Sequence, residues 1–215
     1  MNKDLGNLRK SYEKDSLNEV NVPSNPMELF QSWFSEAEEH PGVEEANAMS
    51  LATVGTDGFP RTRIVLLKQF SYEGFQFFTN YESDKGKAIA ANPGVCLSFF
   101  WPALERQIII SGEARPISGE ESDRYFHSRP RGSRLGAIAS DQSSVIPNRE
   151  FLETKITELE RNYEGKEIPR PNHWGGYQVT PREFEFWQGR MNRLHDRIRY
   201  RTEQESKWTI ERLSP

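Results

Sequence analysis

Apolar residues recur along the chain with two periods, and the change from one to the other marks out its elements. Leu29, Phe30, Trp33, Phe34 and Ala37 fall three and four apart, the spacing of one helical face. Asn25 precedes them as an N-cap, Pro26 takes the first helical position, Glu28 stands three residues after the cap, and Pro41-Gly42 ends the helix. From Ala48 the helical period is lost. Residues 49–54 and 61–70 are β-branched and apolar, and Gly55-Thr56-Asp57-Gly58 between them is a hairpin signal. Residues 75–79 follow a second turn, Ser71-Tyr72-Glu73-Gly74; 95–101 and 106–114 come after a short helix. Five strands with mostly short links predict an antiparallel meander that closes into a barrel. The run Ile64-Val65-Leu66-Leu67 is apolar on both faces, so one side fills the barrel and a helix or second subunit covers the other.

The helical period then returns. Ser118 and Glu121 form a capping box that opens a helix from Gly119 to about His127, and residues 131–139 make a second. Phe151, Leu152, Ile156, Leu159 and Tyr163 carry a third, stopped by Gly165. Strands over 176–179, 183–187 and 197–201, the last paired with 208–213, close the chain. Residues 1–23 are polar and are expected to form a mobile arm. Residues 24–215 are expected to form a single domain.

Composition narrows the function. A chain of 215 residues, 35% hydrophobic, can bury a sizeable core. A net charge of −4 argues against general nucleic-acid binding. The single cysteine, Cys96, excludes an internal disulfide and reads as a buried, inert thiol. There is no apolar run of membrane-spanning length, so a soluble, cytoplasmic protein without membrane association is expected. The four histidines show no metal-ligand spacing, and no metal is expected. Gly-x-Gly-x-x-Gly, a Walker loop, a nucleophile elbow and a carboxylate pair are all missing.

Cations instead gather in short clusters. Ser83 caps a helix with Lys85 and Lys87 in its first turn, where they oppose the macrodipole unless an anion binds there. Arg63 and Lys68 bracket an apolar strand; five apart, they face opposite sides unless a bulge intervenes, and spacing does not decide which. Tyr125, Arg129 and Ser133 recur every four residues and would suit a phosphate monoester, although Pro130 forbids one straight helix through them. In Arg193-Leu194-His195-Asp196-Arg197, an extended backbone would put Arg193, His195 and Arg197 on one face. Solvated side chains paired with nearby carboxylates are the competing reading of each cluster.

Arg63-Ile64-Val65-Leu66-Leu67-Lys68, Glu105-Arg106-Gln107, Tyr125-Phe126-His127-Ser128-Arg129-Pro130, Gln142-Ser143-Ser144, Phe186-Trp187-Gln188-Gly189 and Arg193-Leu194-His195-Asp196-Arg197 together resemble the pyridoxine/pyridoxamine 5′-phosphate oxidase family. The likeness runs from about Leu8 to Pro215, with the motifs in the family's order. It implies an α+β, mainly β fold: an antiparallel split β-barrel with flanking helices and FMN at a homodimer interface. It also implies oxidation of pyridoxamine and pyridoxine 5′-phosphate to pyridoxal 5′-phosphate, with O₂ as acceptor and H₂O₂ as by-product. By matching motif, Arg63, Ile64, Val65, Leu66, Leu67 and Lys68 would line the FMN site. Phe78, Thr79, Ser83, Lys85, Gln107, Gln142, Ser143, Trp187 and Arg197 would join them. Lys68, Tyr125, Arg129 and Ser133 would hold the substrate phosphate. Arg193 and His195 would be the catalytic pair over the substrate ring, with Arg9 and Tyr12 in the arm that closes over it. Asp84 departs from the family, which commonly has a basic residue there. A flavin reductase using a nicotinamide donor, and an idle FMN- or pyridoxal-phosphate-binding module, are the alternatives; each needs only part of these residues.

Overall fold

The structure, a computed structural model, describes residues 3–7, 10–204 and 207–215. Its elements in chain order are α1 (Pro26–Glu39), β1 (Ala48–Val54), β2 (Pro60–Leu66), β3 (Gln69–Ser71), β4 (Gly74–Asn80), α2 (Asp84–Ala91), β5 (Gly94–Trp101) and β6 (Arg106–Pro116). There follow α3 (Gly119–Ser128), α4 (Arg131–Ala139), α5 (Arg149–Asn162), β7 (Trp174–Gln188), a one-turn 3₁₀ helix (Met191–Arg193), β8 (Asp196–Gln204) and β9 (Lys207–Arg212). The mainly β class with helices added is the one the sequence pattern predicts. Among the described residues no helix is long and apolar enough to cross a membrane.

The strand order differs from a meander. The sheet runs β2-β1-β5-β6-β7-β4-β3, with β8 on β7 and β9 on β8, so a strand from late in the chain separates β6 from β4. That strand, β7, spans the two short strands expected at 176–179 and 183–187. Its first half pairs antiparallel with β4, from Asn80↔Trp174 to Phe75↔Val179. Its second half pairs antiparallel with β8, from Glu183↔Arg201 to Gln188↔Asp196. Pro181 lies between the two registers, where its missing N–H removes a bond from neither ladder.

The chain divides into two compact units, and the boundaries fall inside β1, β5, β6 and β7. Unit 1 comprises Met1–Ser50, Leu97–Ser111 and Pro181–Pro215. Asn25 caps α1 by accepting the Met27 N–H at 3.0 Å, as its sequence position predicts. The buried face of α1 packs Phe30 on Phe99, Phe34 on Trp101 and Trp33 edge-on to Phe186 at 5.3 Å. The segment expected to be a mobile arm is bonded to this unit. Leu17 is buried, its N–H donates to Asp196 at 3.0 Å, and Asp15 pairs with Arg106 at 2.7 Å.

Unit 2 comprises Leu51–Cys96 and Gly112–Thr180. Its opening hairpin turns at Gly58, whose φ of 82° is the left-handed conformation that glycine adopts without penalty. The strand expected to run from 61 to 70 breaks after Leu66. Leu67 turns into the core, the Lys68 N–H donates to the Gln76 carbonyl at 2.9 Å, and a short β3 starts at Gln69. The two-sided apolar run therefore splits: Leu67 is buried, Val65 and Leu66 are half-buried, and Ile64 is 64% exposed. A second core forms where α3, α4 and α5 meet β7, with Phe126, Leu135, Ile168 and Trp174 at its centre.

Candidate active site

Both units carry clefts lined by residues that the sequence singles out. In unit 2 the cleft holds about 480 Å³ and is lined by Ile64, Val65, Leu66, Lys68, Phe78, Thr79, Asn80, Lys85, Tyr125, Arg129, Ser133, Gln142 and Trp174, among others. One wall is aromatic. Phe78 stacks on Tyr125 at 3.8 Å, and Trp174 lies nearly parallel to both.

Pro130 explains how Tyr125, Arg129 and Ser133 reach this cleft together. It ends α3, and Arg129-Pro130 becomes the corner from which α4 starts. The Arg129 guanidinium sits 4.5 Å over the Trp174 ring, and its Nη1 is buried with no hydrogen-bond partner. Burial lowers the Arg129 pKa and raises that of Tyr125. A buried guanidinium nitrogen without an acceptor is costly, and an anion in the cleft would supply one.

The second cation is Lys85. The Ser83 hydroxyl caps α2 by accepting the Gly86 N–H at 3.3 Å, and Lys85 in the first turn bonds back to Thr79 and Ser83, each at 3.1 Å. A β-carbon on Gly86 would lie 2.1 Å from the Tyr81 carbonyl oxygen, so glycine is required for this tight entry. Burial, reinforced by Arg63, pushes the Lys85 pKa down to about 8, with Asp84 acting in the opposite sense. Gln142 accepts the Thr79 hydroxyl at 3.3 Å, and Ser143, held at φ 75°, accepts the Asp84 N–H at 3.2 Å. Arg63 is not in this cleft. It donates to the Leu51 carbonyl and the Thr53 hydroxyl, and it lines a neighbouring cleft with Arg61, Asp84 and Lys87. The question left by the Arg63–Lys68 spacing resolves as a strand break with two clefts.

In unit 1 the cleft holds about 730 Å³ and is lined by Lys10, Ser11, Tyr12, Trp187, Arg190, Asn192, Arg193 and His195. Asn192 and Arg193 are left-handed, at φ 56° and 63°, ahead of the start of β8 at Asp196. The expected single face of Arg193, His195 and Arg197 is therefore not formed, because the first of them is not extended. For arginine that conformation costs roughly 1–2 kcal/mol, and such strain gathers at working sites. The His195 ring lies 4.7 Å from Trp187 and 5.8 Å from Tyr12, and its Nδ1 accepts the Arg190 N–H at 3.1 Å. Burial and the Arg193 charge lower its pKa, against Asp196. An Nδ1 that accepts the Arg190 N–H leaves the proton of the neutral ring on Nε2. Arg197 faces Glu185 in a bidentate pair, Nε–Oε1 2.7 Å and Nη2–Oε2 3.0 Å. Gln107 is half-buried on β6, and Arg9 lies outside the described residues.

The chain matches known proteins along nearly its whole length. Residues 35–163 match the family model described as pyridoxamine 5′-phosphate oxidase, and residues 174–215 match that of the pyridoxine 5′-phosphate oxidase C-terminal dimerisation region. This chain belongs to the pyridoxamine 5′-phosphate oxidase family. The pyridoxine/pyridoxamine 5′-phosphate oxidase of Flavobacterium psychrophilum is 61% identical over 213 residues, 99% of this chain and 100% of its own. That of Christiangramia forsetii is 57% identical over the full length of both. Among solved structures, PhzG from Burkholderia lata in complex with tetrahydrophenazine-1-carboxylic acid superposes with a TM-score of 0.86 at 30% identity, over 94% of this chain and 98% of its own. Trp174 also lines the unit 2 cleft without having been singled out in the sequence. Trp174 lies 45 positions beyond Arg129, so no local pattern links them.

Proposed function

We propose that this chain oxidises pyridoxamine and pyridoxine 5′-phosphate to pyridoxal 5′-phosphate, with FMN as cofactor and O₂ as electron acceptor, as a cytoplasmic homodimer. The buried, partnerless Nη1 of Arg129 beside a stacked aromatic wall is the observation that carries this reading. It asks for a ligand that is both anionic and planar. Lys85, with hydroxyl partners and a depressed pKa, asks for a second anion. Together they fit the two phosphate esters of a flavin mononucleotide and a pyridoxyl substrate. The exposed Ile64 and the match of residues 174–215 to a dimerisation region support the homodimer.

In this reading Lys85, Thr79, Ser83, Gln142 and Ser143 hold the FMN, with Arg63 contributing positive field from the neighbouring cleft. Lys68, Tyr125, Arg129 and Ser133 hold the substrate phosphate. FMN, when bound, would supply the two-electron acceptor for the C4′ centre, with O₂ as the final acceptor. The chain supplies placement and charge. His195, neutral and protonated at Nε2, donates a hydrogen bond to a substrate oxygen and so orients the ring instead of removing a proton. Arg193, held by a strained turn, keeps the ring in its electron-rich, deprotonated form. Arg197 and Gln107 border the flavin, and Tyr12 covers the substrate.

Anaerobic titration tests this. Pyridoxamine 5′-phosphate added without oxygen should bleach the flavin band of the purified protein, and air should restore it. A bound flavin that stays oxidised would move the reading to a reductase, with NAD(P)H as the next addition.

A further inference from the structure

Glu105 lies in the connection between β5 and β6 and is only 2% exposed. A carboxylate goes that deep only when it is paired and hydrogen-bonded. Its Oε2 accepts the backbone N–H groups of Glu13 at 2.8 Å and Lys14 at 3.1 Å, and its Oε1 lies 3.5 Å from the Lys10 ammonium. Its own carbonyl accepts the Gly189 N–H at 2.8 Å and the Gln188 side-chain amide at 3.3 Å. Its backbone is left-handed, φ 56°, a conformation seldom taken by a residue with a β-carbon. One residue thus holds segment 10–14 with its side chain and segment 188–189 with its main chain.

Tyr12 sits between these two attachments, edge-on to Trp187 at 5.6 Å and to His195 at 5.8 Å. Its seat depends on Gly189, where a β-carbon would stand 2.7 Å from Tyr12 Cγ. Among residues 10–16 Tyr12 is half-buried and the others are exposed. Burial of apolar surface therefore contributes little to holding this segment down, and the polar attachment has to do it. Arg106 anchors the segment again at Asp15, so loss of the carboxylate loosens the part that carries Tyr12 first.

We propose that Glu105 is a positioning residue: its carboxylate docks residues 10–14 so that Tyr12 closes the cleft containing Arg193 and His195. The consequence for turnover rests on the oxidase reading; the docking itself does not. The test uses the whole FMN-loaded protein and Glu105→Ala, Glu105→Gln, Tyr12→Ala and the Glu105→Ala/Tyr12→Ala double variant. Without substrate, amide exchange at Glu13 and Lys14 should be about tenfold faster in Glu105→Ala, the loss of one charge-assisted hydrogen bond, with β6 unchanged. In turnover, KM for pyridoxamine 5′-phosphate should rise by about tenfold with kcat nearly constant, on the same hydrogen-bond scale. Glu105→Gln, which keeps one acceptor oxygen, should fall between. The double variant should be no worse than Tyr12→Ala alone, because Glu105 acts through Tyr12. Unchanged exchange at Glu13 and Lys14, or additive effects in the double variant, would overturn the proposal. If Glu105→Ala fails to fold, Glu105→Gln, nearly isosteric, carries the same comparisons with Tyr12→Ala. A wild-type protein without turnover would sink the oxidase reading, and exchange alone would then decide the docking.

Discussion

The two clefts are built on opposite electrostatic plans. In unit 1 the buried cation is matched from within: Arg106 donates to Glu36, Asp15 and Gln188 and lies over Trp33. Arg197 has Glu185, and Arg212 has Asp196 and Glu19. These pairs fix backbone segments around a cleft in which an imidazole, an indole and a phenol stand beside Lys10, Arg190 and Arg193. In unit 2 the buried cations are not so matched. Lys85 bonds to hydroxyls, and Arg129 keeps a buried nitrogen unpartnered. A protein tolerates such incomplete pairing where a ligand completes it, since desolvated cations otherwise only cost stability. A spent cation thus marks scaffold, and an unspent one marks a binding site.

Substitutions in the two clefts should therefore fail differently. Arg129→Leu should raise KM for pyridoxamine 5′-phosphate by about 10²–10³-fold, on the scale of 3–5 kcal/mol for breaking a buried charge pair, with a smaller change in kcat. Arg193→Met should instead lower kcat by about 10²-fold, the order seen when a group stabilising transition-state charge is removed, with flavin content intact. Steady-state kinetics beside the flavin absorbance separates the two. Unchanged turnover in Arg193→Met at equal flavin loading would remove that residue from the reaction.

Lys85 provides a pH test confined to unit 2. Its pKa without ligand is depressed to about 8, and an anion binds the protonated form. FMN affinity should accordingly be full below about pH 8 and fall as pH rises through that value, by up to about tenfold per unit. The phosphate stays doubly ionised throughout this range, so the fall belongs to the lysine. Lys85→Arg, which stays charged, should flatten the profile. Fluorescence titration of FMN between about pH 7 and 9.5 measures it, and an equally steep fall in Lys85→Arg would assign the effect elsewhere.

The smallest effect is expected at Asp84. It is exposed at the first turn of α2, and its charge favours the protonated Lys85 while opposing an incoming phosphate. If repulsion prevails, Asp84→Asn tightens FMN by about two- to fivefold, from roughly 0.3–1 kcal/mol for an exposed charge. Weaker binding in that variant would mean that its support of the Lys85 charge outweighs the repulsion.

Much of this was legible in the chain, because local rules decide it. The N-caps at Asn25, Ser83 and Ser118 and the corner at Pro130 follow from backbone donors, side-chain acceptors and a missing N–H. The apolar face of α1 and the motif residues Tyr125, Arg129 and Ser133 could be read by spacing, and the family by the order of its motifs. What escaped was set by partners distant in sequence. Residues 176–179 and 183–187 read as two strands because Pro181 interrupts them; pairing with β4 on one stretch and β8 on the next makes them one. The Arg193-to-Arg197 face failed because Arg193 is left-handed where an extended backbone was expected, and no propensity predicts arginine there. Glu105 carried no local sign of its part, since its carboxylate bonds residues some ninety positions away. Sequence by itself thus determined the elements, the kinds of side chain and the family. Tertiary structure alone decided which cations are neutralised and which remain for a ligand, because burial and pairing depend on chain segments that meet only in the fold.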